Sequence, residues 1–216
     1  MKQTKMRQAW RPMVVASAAV FAVPAVVALA PPAAAAECPD VDVVFARGTD
    51  EPPGLGGVGQ SFVDSIRQQA GARSVGDYAV NYPANNDFNA SIAAGVGDAR
   101  GHIESMAATC PGTRIVLGGY SQGAAVMDIA TTDMPPKVAD HVAAVVDFGR
   151  PKTAYARSLD AGLSPSVGGR YADRYLDVCI PTDPICWEGG FNPLAHMAYA
   201  PSGQTWQAAT FVVGKL

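Results

Sequence analysis

Short β-rich runs alternate with helical patterns along most of this chain, and that order admits few folds. Residues 41–46 (VDVVFA), 77–82 (DYAVNY), 114–118 (RIVLG), 141–148 (HVAAVVDF) and 174–180 (RYLDVCI) read as five strands. A helix carrying Val58, Phe62, Val63 and Ile66 on one face follows the first. Over residues 89–110 the positions Ile92, Val96, Ala99, Ile103, Met106 and Cys110 recur at alternating steps of four and three, one face of a long helix that Pro111 stops. Residues 122–131 form a third helix, and a last one over 203–213 is expected to pack through Trp206, Ala209 and Val213, with Thr210 at its margin. Strands separated by helices do not pair as tight hairpins; they build a mostly parallel five-stranded sheet covered by helices on both faces. The 216 residues fit one such domain, with no visible linker.

The stretch before the first strand has a different character. Lys2, Lys5, Arg7 and Arg11 form a basic segment with no acidic residue, residues 13–30 are apolar, and Ala34-Ala35-Ala36 offers small residues to a peptidase. Residues 1–36 are therefore expected to be a secretory signal and 37–216 the mature domain. The apolar run is close to membrane-spanning length, but Pro24 inside it and the alanine-rich exit favour cleavage over a retained anchor. Secretion, free or in association with the cell envelope, is the expected localisation. Removing the signal takes away four of the 16 basic residues and none of the 19 acidic ones, which leaves a net charge of about −7. That sign disfavours nucleic acid and anionic membrane surfaces as partners. A monomer with no lasting membrane span is expected.

All four cysteines, Cys38, Cys110, Cys179 and Cys186, lie in the expected mature part. An even number in an exported chain implies two disulfides, with three pairings open. Zinc is the competing use. No Cys-x-x-Cys pair is present and no histidine stands at ligand spacing, so no metal is expected.

The strongest chemical signal sits where the third strand gives way to a helix. Gly119-Tyr120-Ser121-Gln122-Gly123 is a Gly-x-Ser-x-Gly motif at a junction where the chain turns so sharply that flanking positions need to lack side chains. Such a turn presents Ser121 above the C-terminal edge of the sheet, with the N–H of Gln122 beside it at a helix N-terminus. A serine hydroxyl needs a base to become a nucleophile, and an acid to orient that base. Of the three histidines, His102 falls mid-helix as a surface residue, and His141 opens the fourth strand at the edge opposite the turn. His196, in a loop after the last strand, remains as the base.

The acid should lie between Ser121 and His196, near the C-terminal end of a strand. Asp128 and Asp133 belong to the helix after the turn and its exit, Asp140 is at the wrong edge, and Asp147 and Asp177 read as structural. Asp183 follows the fifth strand inside CIPTDPIC, where two prolines stiffen the loop and a Cys179–Cys186 bridge, should that pairing form, would brace it. A second oxyanion donor should come from the loop after the first strand, where Thr49 offers an N–H and a hydroxyl. Phe191, Leu194 and Met197 flank His196, and an apolar wall there would suit an acyl chain.

With VVFARGT, NYPA, RIVLGGYSQGAAV, DPIC and AHMAY in this order, the expected mature chain resembles the cutinase family throughout, most closely its secreted actinobacterial esterases. The resemblance implies a small α/β-hydrolase fold without a lid, a triad of Ser121, Asp183 and His196, an oxyanion hole from Gln122 and Thr49, and the pairings Cys38–Cys110 and Cys179–Cys186. Fungal members usually have serine where this chain has Thr49; the threonine hydroxyl donates equally, from a stiffer side chain. The resemblance also implies hydrolysis of carboxylic esters through an acyl-enzyme, with no cofactor. Short to medium acyl chains are the first expectation, and longer lipids, phospholipids, cutin-like polyesters and acetylated polysaccharides are the alternatives. A secreted binding protein on the same scaffold is a reading from another class, against which the intact Ser, His and Asp set weighs. A thioesterase or peptidase is a third, and the export signal disfavours intracellular thioesters.

Overall fold

The computed structural model describes residues 38–159 and 166–216. Five strands, β1 (Val41–Ala46), β2 (Val75–Ala79), β3 (Arg114–Tyr120), β4 (Val142–Phe148) and β5 (Tyr175–Val178), form one sheet in the order β2-β1-β3-β4-β5. Every pairing between them is parallel. Among the described residues the helices are α1 (Gly56–Gln69), α2 (Phe88–Thr109), α3 (Gln122–Thr131), α4 (Pro136–Ala139), α5 (Ala154–Leu159), α6 (Pro193–His196) and α7 (Gln204–Val213).

The period-two alternation of β1 explains the two layers. Val41, Val43 and Phe45 face Phe62 and Ile66 of α1 and Val212 of α7, while Val44 and Ala46 face the side built from Ile92 and Ile103 of α2 and Val126 of α3. Strands buried on both faces need near-continuous apolar sequence, which β1 and β4 have. The strand order reverses between β1 and β3, and clefts in open parallel sheets form at the C-terminal ends of such a pair. The loop carrying Thr49 leaves β1 there, and Ser121 leaves β3.

Several elements differ from expectation. The second strand occupies Val75–Ala79 rather than 77–82, because beyond it the backbone is captured elsewhere: the Arg47 guanidinium takes Tyr82 O at 2.8 Å. The fifth is shortened to Tyr175–Val178, since the next residue already enters the Cys179–Cys186 loop. Helix α7 buries Thr205, Ala208, Ala209 and Val212, and Trp206 is 47% exposed. Close packing on α1 selects that small-residue face, with Ser61 and Thr205 hydroxyls 2.8 Å apart and Trp206 O accepting from Gln69. His102 is also less exposed than expected: its Nε2 lies 2.7 Å from the buried Asp42 and its ring stacks on Tyr78.

The disulfides are Cys38–Cys110 and Cys179–Cys186. The first ties the segment before β1 to the end of α2 across 72 residues, a long loop to close and hence a large restriction of the unfolded chain. Both suit an oxidising compartment. No helix among the described residues is long and apolar enough to cross a membrane.

One polar cluster interrupts the core. Asp147 on β4 and Asp128 on α3 are fully buried beside each other; the Tyr175 hydroxyl donates to Asp147 at 2.9 Å, and Arg150 reaches Asp128 at 3.3 Å. Two adjacent carboxylates so placed cannot both ionise. Burial, then the charge of Asp128, pushes Asp147 well above the usual carboxylate range, and burial pushes Asp128 up to about 6. A folded-state pKa above the unfolded one gives stability that is full at low pH and lost as pH rises through the folded value. Stability should therefore decline as pH rises through about 6, where Asp128 ionises, and again at higher pH where Asp147 does. In Asp147→Asn the amide donates to Asp128 and accepts from Tyr175 without needing a proton. That variant is expected to keep the decline of Asp128, to lose the one that belongs to Asp147, and to be more stable than the wild type at alkaline pH. Calorimetric Tm values at acid and alkaline pH check this, and identical pH slopes for the two proteins would sink the shared proton.

Candidate active site

β3 ends at Tyr120 and α3 begins at Gln122, so the whole reversal falls on Ser121, held at φ 54° and ψ −119°. A residue other than glycine in that region carries roughly 1–3 kcal/mol of strain. The flanking glycines permit it: a Cβ on Gly119 would lie 2.4 Å from Gly123 O, and one on Gly123 only 2.0 Å from Ala46 O. β1 and β3 thus approach the turn more closely than any side chain allows.

His196 closes α6, a single turn with Pro193 in its first position and Asn192 as its cap, the Asn192 side chain accepting from Leu194 N at 3.1 Å. Its Nε2 lies 2.9 Å from Ser121 Oγ and its Nδ1 2.8 Å from Asp183 Oδ2. Asp183 is fully buried; its Oδ1 accepts the Ile185 N–H at 2.8 Å, and its Oδ2 also accepts from the Tyr199 hydroxyl. Burial alone would raise its pKa, but the hydrogen bonds from His196 and Tyr199, with the Ile185 N–H behind them, hold it below the ordinary carboxylate value. The Cys179–Cys186 bridge spans this loop, and Trp187 N–H donates to Asp183 O at 2.9 Å. The Tyr120 hydroxyl donates to His196 O at 2.8 Å. On another side stands Gly149 at φ 60°, where a Cβ would come 2.8 Å from the imidazole.

Thr49 is fixed by a side-chain network that includes Gln122. The Ser91 hydroxyl donates to Gln122 Oε1 at 2.7 Å, which orients the amide so that Nε2 donates to Asn85 O at 2.9 Å and to Thr49 Oγ1 at 3.2 Å. With its oxygen already accepting, Thr49 can aim its own proton at the cleft. The loop itself is clamped by Glu51, whose carboxylate accepts from Gly48 N at 2.7 Å and Gly57 N at 2.8 Å, and by Arg47, which donates to Glu51 O at 2.8 Å. Sequence reasoning did not single out Ser91, Glu51 or Tyr199. Arg47 and Tyr199 lie inside the stretches VVFARGT and AHMAY, but Glu51 and Ser91 carried no signal of their own.

Ser121, His196, Gln122 and Thr49 converge on a cleft of about 200 Å³. Its apolar lining comes from Phe88 and Ile92 of α2, Ala125 of α3, Ala156 and Leu159 of α5, and Ile185. Phe191, Leu194 and Met197, expected to wall it, are not among the lining residues; they are 81%, 66% and 63% exposed. The reason is the turn of α6. It buries Ala195 and points His196 inward, so the neighbours of the histidine in sequence project in other directions.

A five-stranded parallel sheet with a strained serine turned outward between β3 and α3, at the C-terminal edge, defines an α/β-hydrolase. The profile of the family described as cutinase matches residues 37–216. The carboxylesterase Culp1 of Mycobacterium tuberculosis is 54% identical over 180 residues, 83% of this chain and 82% of that protein. The phospholipase Culp4 of the same organism is 50% identical over 199 residues, covering 88% and 84%. Among solved structures, Trichoderma reesei cutinase in complex with a phosphonate inhibitor has a TM-score of 0.66 at 33% identity, covering 82% of this chain and 76% of that one. The catalytic core of acetyl xylan esterase from the same fungus, at 23% identity and a TM-score of 0.69, shares the fold. The chain belongs to the cutinase family, and it is a carboxylic ester hydrolase.

Proposed function

We propose that this chain is an exported serine esterase acting on esters with short to medium apolar acyl chains, with Ser121 as nucleophile, His196 as base and Asp183 as its orienting acid. The observation that carries the reading is the unbroken line from Ser121 Oγ through His196 to Asp183, at 2.9 and 2.8 Å, opening into an apolar cleft. His196 Nε2 takes the hydroxyl proton as Ser121 Oγ attacks the ester carbonyl, and Asp183 balances the imidazolium that forms. The N–H of Gln122 and the N–H and hydroxyl of Thr49 receive the oxyanion. His196 then gives its proton to the leaving alcohol, and a water activated by the same histidine releases the acid. Residues 1–36 act as a removed export signal, a reading supported by their composition and by the two disulfides of the rest.

Phospholipid hydrolysis is the second reading. The name of the 50% identical relative favours it, as do Trp187, Phe191, Leu194 and Met197, exposed apolar side chains on the segment that carries His196. A chromogenic ester series of rising acyl length, run beside a phosphatidylcholine dispersion, separates the two. A serine-directed phosphonate tests the chemistry common to both, and failure to label Ser121 would refute it. Thr49→Val keeps the shape and the N–H but removes the hydroxyl. It is expected to lower kcat by about 10²-fold with KM little changed, since the lost donor acts on the tetrahedral state. Steady-state kinetics on one short ester check this, and an unchanged kcat would remove the hydroxyl from the oxyanion hole.

A further inference from the structure

Tyr199 is fully buried, and its ring stands edge-on to those of His196, Tyr120 and Phe148. Its hydroxyl has three polar neighbours: Asp183 Oδ2, the Ile180 N–H at 3.4 Å and Cys186 Sγ at 3.3 Å. Only one of them can take the phenol proton well. The Ile180 N–H is itself a donor, and Cys186 Sγ belongs to a disulfide, has no proton to give and is a poor acceptor. The proton is therefore committed to Asp183 Oδ2, the same oxygen that receives His196 Nδ1 at 2.8 Å. The other carboxylate oxygen is held by the Ile185 N–H.

We infer that Tyr199 is a positioning residue for the acid–base pair: it locks the plane of the Asp183 carboxylate and shares the charge of the oxygen that faces His196. The inference rests on the triad proposed above. A carboxylate with donors on both oxygens cannot turn about its Cβ–Cγ bond without breaking one, so the atom facing the imidazole is always Oδ2. The hydroxyl also draws on the charge of Oδ2, and so sets how much of it reaches the imidazole N–H. Burial and the Asp183 carboxylate both raise the pKa of this phenol, so it stays protonated across the working range.

The test is Tyr199→Phe in the exported enzyme, measured with a short chromogenic ester, a serine-directed phosphonate and proton NMR of the His196 Nδ1–H. The expected result is a kcat lower by about tenfold, an unchanged KM and a phosphonylation rate lowered by the same factor. The low-field His196 resonance should move downfield, because Oδ2 has lost its second donor. A fallen Tm with kcat and the resonance unmoved would overturn the inference and leave Tyr199 a packing residue. Should the phenylalanine variant not fold, 3-fluorotyrosine at position 199 keeps the ring and donates more strongly; the resonance should move upfield, and a static one overturns the inference equally. Failure of the triad itself reads differently. The phosphonate then leaves Ser121 of the wild type unlabelled, and both proposals fall together.

Discussion

Ser121→Ala is expected to lower kcat for ester hydrolysis by about 10⁶-fold while leaving the fold intact. The loss should be that large because His196 then has no hydroxyl to deprotonate, so none of the charge it shares with Asp183 helps the reaction. Folding should be little affected. Alanine has the same Cβ, and the reversal at φ 54° is imposed by Gly119, Gly123 and the closeness of β1 rather than by the hydroxyl. Glycine at 121 should act differently: equally inactive, but more stable than the alanine variant by about 1 kcal/mol, because the left-handed strain is relieved. Kinetics and thermal melts of the two variants give both readings. Retained hydrolysis in either would remove Ser121 from the mechanism.

Asp183→Asn is the second large effect, a loss in kcat of about 10⁴-fold with little change in KM. Asparagine fits the space but cannot serve the same donors. His196 Nδ1, the Ile185 N–H and the Tyr199 hydroxyl all converge on the Asp183 carboxylate, and an amide offers only one accepting oxygen. Its NH₂ would then face a donor, and the imidazole would turn its lone pair to Nδ1, leaving a proton on the nitrogen that should accept from Ser121. The wild-type carboxylate has a pKa below its ordinary value, so its contribution to stability is full above the unfolded pKa and is lost as pH falls through the folded one. The wild type should therefore lose stability on acidification below the usual carboxylate range, and the asparagine variant should lose less. Tm measured across that acid range decides the sign.

Much of this architecture was legible because its signals are local. Strand-to-helix alternation, the pair of glycines around Ser121 and the position of Asp183 just past a strand depend on residues adjacent in sequence. His196 stands out as the candidate base by elimination of the other two histidines, although the single helical turn that carries it is too short to leave a periodic pattern. Several local readings missed. The second strand was placed too late because nothing near Tyr82 announces that Arg47 will take its carbonyl. Trp206 was assigned to the packing face of α7, whereas α1 accepts the alanine side. Phe191, Leu194 and Met197 were placed at the cleft because they neighbour His196 in sequence, and the turn of α6 directs them outward.

The amino-acid order by itself determined the parallel sheet, the sharp turn at Ser121, the candidates for base and acid, and, through its resemblance, the family. These follow from backbone preferences and short spacings, which any stretch of chain carries with it. Only the tertiary structure decided which walls line the cleft, from α2, α3 and α5. It also decided how Ser91 and Gln122 hold the oxygen of Thr49, that Asp128 and Asp147 sit side by side, and that Tyr199 shares an oxygen with His196. Each of those depends on the direction of a side chain relative to a partner many residues away, and direction is set by how helices seat on the sheet.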